Sequence, residues 1–448
     1  MSGVKAFLGF PAGFLWGTAT ASHQVEGQNV NSDWWAWEQQ GKIEGGDSAA
    51  VACDWWGGKR FYEDFDRAAE GGQNAHRLSV EWARIEPTPD VWDEDAVAYY
   101  REVLTALHER GITPMVTICH YCHPQWFLER GGWEQDDSPA IFERYARKVV
   151  RELGDLCKLW VTINEPNGYV YNAYLGASFP PGVSDFNRAM KVAVNLYRAH
   201  VAAYHAIHAV QAEAQVGWAL YLRVFDPANE NSPLDRQAAT LLRGFFNDPW
   251  PKATVDGKFR TPLKTVAVSH GAKTADFLGL NYYTRDRVTF DITRPGELFG
   301  KRTYDPADEQ SYTGFIAGYA EGLLRTVKWA HGFGLNLPIY ISENGTEDPE
   351  DSLRRRFLVR HIRRLWDSVN YNYPVKGYFH WSLVDNFEWE RGWSQRFGLY
   401  ALDVETQVRT ARSSAHLYAA ICKANGMSSA MVAQYVPEVL DELFPGGA

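Results

Sequence analysis

The chain has 448 residues, 45% of them hydrophobic, and a formal net charge of −10, which makes nucleic acid and anionic membrane surfaces poor partners. No apolar run approaches the roughly 18 residues of a membrane span, and the apolar N-terminal patch, broken at Gly9 and Pro11, does not read as a signal peptide. Five scattered cysteines, Cys53, Cys119, Cys122, Cys157 and Cys422, form no disulfide framework, so a reducing, cytoplasmic location is expected.

A short apolar run followed by a longer amphipathic segment recurs along the chain. Phe14–Thr18 reads as the first strand and Lys59–Glu70 as the helix after it. Strand Ala75–Val80 precedes helix Asp95–Arg110, and strand Pro114–Cys119 precedes helix Pro139–Leu153. Next come Leu159–Ile163 with Arg188–Gln211, and Val216–Leu220 with Leu234–Phe245. The last three pairs are Phe277–Leu280 with Ala317–His331, Pro338–Ile341 with Leu353–Ser368, and Gly377–His380 with Thr410–Ala424. Eight such units predict an α/β fold, a (β/α)8 TIM barrel with extended βα loops. An open doubly wound sheet is the alternative, but no Gly-x-Gly-x-x-Gly follows an early strand. No linker or internal repeat divides the chain, so residues 1–448 are expected to form a single catalytic domain. Its last segment, 427–448, carries an amphipathic pattern in Val432, Tyr435, Val436, Val439, Leu440 and Leu443. That segment is expected to pack on the barrel rather than against another subunit.

Polar and aromatic residues gather where these strands end. Gln24 follows the first strand, Arg77 lies in the second and His120 ends the third. Asn164 and Glu165 end the fourth, Asn281 and Tyr283 the sixth, Glu343 the seventh and Trp381 the eighth. A parallel barrel brings such ends together around one pocket, where barrel enzymes place their chemistry. The chain is also rich in aromatics, with 18 Trp, 23 Tyr and 23 Phe. Most belong in the core, but Trp16, Trp126, Trp381, Trp389 and Trp393 sit beside hydrogen-bonding residues. Flat rings next to polar groups suit a sugar, which has an apolar C–H face and a polar edge.

Two carboxylates stand at strand ends, Glu165 in Thr162-Ile163-Asn164-Glu165-Pro166 and Glu343 in Ile341-Ser342-Glu343-Asn344-Gly345. Either alone reads equally well as a turn former or helix cap. Together they meet the demand of glycoside hydrolysis, in which one carboxyl protonates the departing oxygen and the other attacks the anomeric carbon. With Phe14-Leu15-Trp16-Gly17-Thr18-Ala19-Thr20-Ala21-Ser22, Gln24-Val25-Glu26-Gly27 and Trp381-Ser382-Leu383-Val384-Asp385-Asn386-Phe387-Glu388-Trp389, these motifs resemble glycoside hydrolase family 1 along nearly the whole chain.

The resemblance implies a retaining β-glycosidase of the β-glucosidase kind, with Glu165 as acid/base and Glu343 as nucleophile. Arg77 and Tyr283 match the residues that keep the nucleophile anionic. Asn164 matches the contact to the sugar 2-hydroxyl, while Gln24, His120, Asn281, Glu388 and Trp389 complete the sugar-binding set and Trp381 its stacking floor. The expected substrates are β-glucosides or cello-oligosaccharides, with β-galactosides and β-fucosides as side substrates. A transglycosylating enzyme and a non-catalytic sugar-binding protein are the alternatives. Glu388 argues against 6-phosphoglycosides, and Glu165 excludes the myrosinase-like variant with Gln in its place. The chain departs from the family at Tyr121, where an aromatic wall changes shape, and at Asn167-Gly168, where many relatives have Trp and lost bulk is expected to open the aglycone side. His120, Cys122 and His123 could suggest zinc, but their spacing fits no usual motif, so no metal and no cofactor are expected. The protein is expected to act as a monomer or homo-oligomer.

Overall fold

The computed structural model of the protein describes residues 6–445. Eight parallel strands form its centre: β1 (Leu15–Ala19), β2 (Ala75–Ser79), β3 (Thr113–Cys119), β4 (Leu159–Asn164), β5 (Gln215–Pro227), β6 (Phe277–Phe290), β7 (Ile339–Asn344) and β8 (Val375–Trp381). Each pairs with its successor, and β8 returns to β1 through Gly377 opposite Leu15 and Trp381 opposite Ala19. The sheet is therefore a closed barrel, not an open one. Outside it lie α1 (Phe61–Glu70), α2 (Glu94–Glu109), α3 (Ser138–Leu153), α4 (Phe186–Val210), α5 (Pro233–Phe246), α6 (Glu321–His331), α7 (Arg354–Asn370) and α8 (Ser413–Ala424).

The local causes are ordinary ones. Strands covered on both faces are mostly apolar, as in β4, and the buried polar residues of β2 are paired instead, His76 with Thr18, Arg77 with Asn164 and Ser79 with Ser22. Each helix buries one stripe: α3 turns Phe142, Tyr145, Ala146, Val149, Val150 and Leu153 inward, at three- and four-residue spacing. Asp93, Asp185 and Ser232 cap α2, α4 and α5 by accepting first-turn N–H groups.

The structure differs from the pattern reading where strands outrun their apolar cores. β5 and β6 continue to Pro227 and Phe290 and stay paired to Pro227 opposite Val288. The polar side chains that hide this extension are matched across it, as in Arg223 Nε–Asp286 Oδ2 at 2.6 Å. Helix α6 starts at Glu321 rather than Ala317, because Ala317–Gly318 pairs with Glu309–Gln310. Helix α8 likewise starts at Ser413, after Arg409–Ala411 pairs with Tyr400–Leu402.

Beyond α8, Gly426–Ser428 pairs antiparallel with Phe7–Gly9. The short helices Ser429–Tyr435 and Leu440–Leu443 then lie along α7, burying Val432, Val436, Val439 and Leu443. Arg355 donates to the Tyr435 carbonyl at 2.8 Å, and Arg360 meets Glu442 at 2.8 Å. Residues 446–448 of the expected extension lie outside the described residues. No helix among the described residues is long and apolar enough to cross a membrane.

Candidate active site

One cavity of about 560 Å³ opens at the C-terminal ends of the strands, and both glutamates line it. Glu165 takes a left-handed backbone (φ 43°) between β4 and the helix Pro166–Tyr174. Proline suits the first helical position, where its missing N–H is not needed. The unusual φ costs about 1–2 kcal/mol for an L-residue. It is held by Glu165 N–H to the Ala219 carbonyl at 2.7 Å. Glu343 is the penultimate residue of β7, and two positions on stands Gly345, where a Cβ would stand 2.1 Å from the Trp381 carbonyl oxygen. Only glycine lets β7 and β8 approach so closely there.

The two carboxyls have opposite neighbours. Glu343 Oε1 receives an N–H from Arg77, which also donates to Asn164 Oδ1 at 2.7 Å and Thr117 Oγ1 at 3.2 Å. Glu343 Oε2 receives the Tyr283 hydroxyl at 2.7 Å. Glu165 has no cation bonded to it: Asn281 Nδ2 donates to Oε1 at 2.7 Å, and the Tyr121 hydroxyl donates to Oε2. Asn281 also donates through Nδ2 to Asn164 Oδ1 at 3.1 Å. Its Oδ1 accepts from Ser342 Oγ at 2.6 Å, which fixes the amide's orientation.

Burial raises both carboxyls, because charge is costly away from water. Glu165 is pushed up to about 8, by burial first and the neighbouring Glu343 second. Burial also raises Glu343, but Arg77 and Tyr283 oppose it there. The first proton bound by the pair therefore resides on Glu165, leaving Glu343 anionic. Burial holds the Tyr283 phenol far above its usual value, so it stays a donor.

The remaining expected residues converge on the same place at different depths. His120, Asn164, Trp381, Glu388 and Trp389 line the cavity, while Arg77, Asn281 and Gln24 lie just behind its surface. Asn164 Nδ2 donates to His120 Nε2 at 2.9 Å, and the His120 ring stacks between Trp381 and Trp389, with centroids 6.2 and 5.9 Å away. Burial, then Arg77, lowers His120 well below the usual histidine range. It is a neutral imidazole with Nδ1 free of protein partners. Gln24 donates to the Phe387 carbonyl at 2.7 Å and to Glu388 Oε2 at 3.2 Å, leaving its buried Oε1 free. Burial, then Glu390 and Glu343, raises Glu388 well above the usual carboxylate range. His123, the other histidine of the zinc reading, is occupied: Asp33 Oδ2 lies 2.7 Å from Nδ1, and Trp133 Nε1 donates to Nε2 at 2.8 Å.

The model of "Glycosyl hydrolase family 1" matches residues 8–427. The chain belongs to glycosyl hydrolase family 1. It is 32% identical to beta-glucosidase A of Thermotoga maritima, over 93% of this chain and 98% of that one. It is 30% identical to a beta-galactosidase of Pyrococcus woesei, covering 94% and 98%. Among solved structures, a beta-glycosidase from Pyrococcus horikoshii superposes with a TM-score of 0.89 at 36% identity, covering 96% of this chain and 98% of that one.

In this family-1 chain Asn167 and Gly168 have different surroundings at the outer part of the pocket. The Asn167 amide leaves the pocket and donates to the carbonyls of Tyr221 at 2.7 Å and Phe246 at 3.1 Å. Gly168 does line the pocket, but the Tyr121 hydroxyl occupies the space beside it. Sequence reasoning also missed the outer wall. Tyr221 packs edge-on against Tyr283 and Phe246 at 6.0 and 5.7 Å, and Arg302 lies 5.1 Å over Tyr171. The alternation of Tyr221, Arg223 and Phe225 past the apolar core of β5 was the available signal.

Proposed function

We propose that this family-1 glycosidase is a β-glucosidase. It removes terminal non-reducing β-D-glucosyl residues from cellobiose-like disaccharides and from aryl or alkyl glucosides. Glu343 attacks the anomeric carbon while Glu165 protonates the departing oxygen, giving a glucosyl ester on Glu343. Glu165, now ionised, takes a proton from water, whose oxygen attacks the same carbon and releases glucose with its β configuration.

The observation that carries this reading is the unequal bonding of two neighbouring carboxyls, one held by Arg77 and Tyr283 and the other without a bonded cation. A retaining pair stands about 5–5.5 Å apart, and here both carboxyls line one cavity, close enough for the charge of Glu343 to raise Glu165. Proton affinity on Glu165 rises while Glu343 is charged and falls once that charge is consumed in the ester, so one residue serves as acid and then as base.

Sugar binding follows from the same geometry. Asn164 spends one N–H on His120 and keeps the other for the 2-hydroxyl, where a hydrogen bond strengthens as positive charge develops on the ring. The free Gln24 Oε1 and the two oxygens of Glu388 face adjacent hydroxyls. The two oxygens of Glu388 offer acceptors in two directions, so the carboxyl can follow the 4-hydroxyl in either epimer. β-Galactosides and β-fucosides are therefore side substrates.

Glu343→Ala is expected to lose hydrolysis and, with azide, to yield the α-glucosyl azide. Full activity, or rescue giving only the β-azide, refutes the nucleophile. Glu165→Ala is expected to lose far more rate on alkyl glucosides than on nitrophenyl glucosides. Equal losses on the two would remove its acid role.

A further inference from the structure

Tyr121 was expected to supply only a flat wall, yet its hydroxyl ends on the carboxyl proposed as acid/base. Its backbone is left-handed at φ 63°, and the Trp34 indole N–H fixes the Tyr121 carbonyl at 3.0 Å. Phe179 and Trp389 meet its ring edge-on at 5.2 and 5.4 Å. The hydroxyl reaches Glu165 because residue 168 is glycine: a Cβ there would stand 2.7 Å from the Tyr121 oxygen. Three separated features, the turn, the aromatic packing and the missing side chain, thus aim one phenol at one carboxyl oxygen.

We propose that Tyr121 is a positioning residue that holds Glu165 through both halves of the reaction, its hydroxyl accepting from the acid and donating to the base. The inference rests on the acid/base role of Glu165. A phenol can do both because it carries a donor and an acceptor, whereas the indole or amide N–H groups nearby can only donate. The Asn281 amide already occupies Oε1, which leaves Oε2 as the oxygen that changes protonation. When Glu165 is protonated, its O–H points to the Tyr121 oxygen until a glycosidic oxygen takes its place. When Glu165 is ionised, the Tyr121 O–H turns back to donate. Burial keeps Tyr121 itself far above its usual value, so the phenol does not ionise during the cycle. The other groups around Glu165 are Glu343 and Arg77, the phenols Tyr221 and Tyr283, and His120, Asn164 and Asn281. Of the groups bonded to the Glu165 carboxyl, only Tyr121 offers a hydroxyl.

The test is a set of pH profiles for wild type, Tyr121→Phe, Gly168→Ala and the double variant. The alkaline limb of kcat/KM reads Glu165 as acid in the free enzyme. The acid limb of kcat on 2,4-dinitrophenyl β-glucoside, with release of the glucosyl-enzyme limiting, reads it as base. Loss of the donor to the carboxylate raises Glu165 in both states, so both limbs move up by about 1 pH unit in Tyr121→Phe. Gly168→Ala displaces the hydroxyl and moves both limbs in the same direction, and the double variant moves them no further than Tyr121→Phe. Limbs that stay in place while turnover persists overturn the proposal, as does a double variant whose shifts add. Glu165→Ala separates the two readings: if it keeps the wild-type alkaline limb, the acid assignment fails, whatever Tyr121 does.

Discussion

Arg77 shows how much of the chemistry depends on one buried side chain. Its guanidinium is 1% exposed and divides its donors among Glu343, Asn164 and Thr117. It therefore favours the ionised form of Glu343, the proposed nucleophile, and at the same time orients the Asn164 amide. Arg77→Gln is expected to lower kcat/KM by about 100-fold or more, since breaking a buried ion pair costs several kcal/mol. The sign of the accompanying pH effect follows from the charge removed. Arg77 lowers the proton affinity of Glu343, which must be ionised to attack, so its loss moves the acid limb of kcat/KM to higher pH. A profile that falls in height without moving would mean that Arg77 only shapes the pocket.

Glu165 and Glu343 were legible in the sequence because each stands where an apolar strand stops, whereas Arg77 and Tyr283 were legible through the family motifs. Tyr121 was visible as a ring but not as a partner of Glu165. That contact depends on a left-handed turn and on a glycine 47 positions later, and neither leaves a periodic trace.

The eight strands and eight helices were legible because most strands are short apolar runs and each helix carries one apolar stripe. What escaped were segments whose polar groups satisfy one another. The outer halves of β5 and β6 are held by Arg223–Asp286 and by Arg285–Asp308, at 2.6 and 2.8 Å, beside a small apolar cluster in which Phe225 and Val288 meet Leu242 and Phe246. The C-terminal segment is the reverse case, with a plain amphipathic pattern and a definite seat on α7. Val432 there is fully buried. Val432→Asp would place an unpaired carboxylate in that seam and is expected to destabilise the protein by about 3 kcal/mol. Thermal melts check this, and glucosidase activity below the transition should stay close to wild type. An unchanged midpoint would mean that the segment merely rests on the barrel.

Ionisation in the pocket is coupled to the stability of the entire barrel. Glu165 is raised from 4.5 to about 8 on folding, so the folded protein prefers its acid form. That preference is harmless below pH 4.5, where the unfolded chain is protonated too, and it costs progressively more as pH rises through 8. Glu165→Gln removes the cost. Its melting temperature relative to wild type is expected to climb by roughly 2–5 °C between pH 5 and pH 9. A difference independent of pH would mean that Glu165 is an ordinary exposed-type carboxylate. Closure of the sheet is what makes such coupling possible, since residues from β2, β4, β6 and β7 reach the same two carboxyls only when β8 meets β1.

The division of labour between those carboxyls can be caught directly by trapping the glucosyl-enzyme. Incubation with 2-deoxy-2-fluoro-β-D-glucosyl fluoride, followed by proteolysis and mass spectrometry, should find a single fluoroglucosyl group on the peptide bearing Glu343. An adduct on Glu165 or Glu388, or inactivation with no adduct at all, would contradict the account.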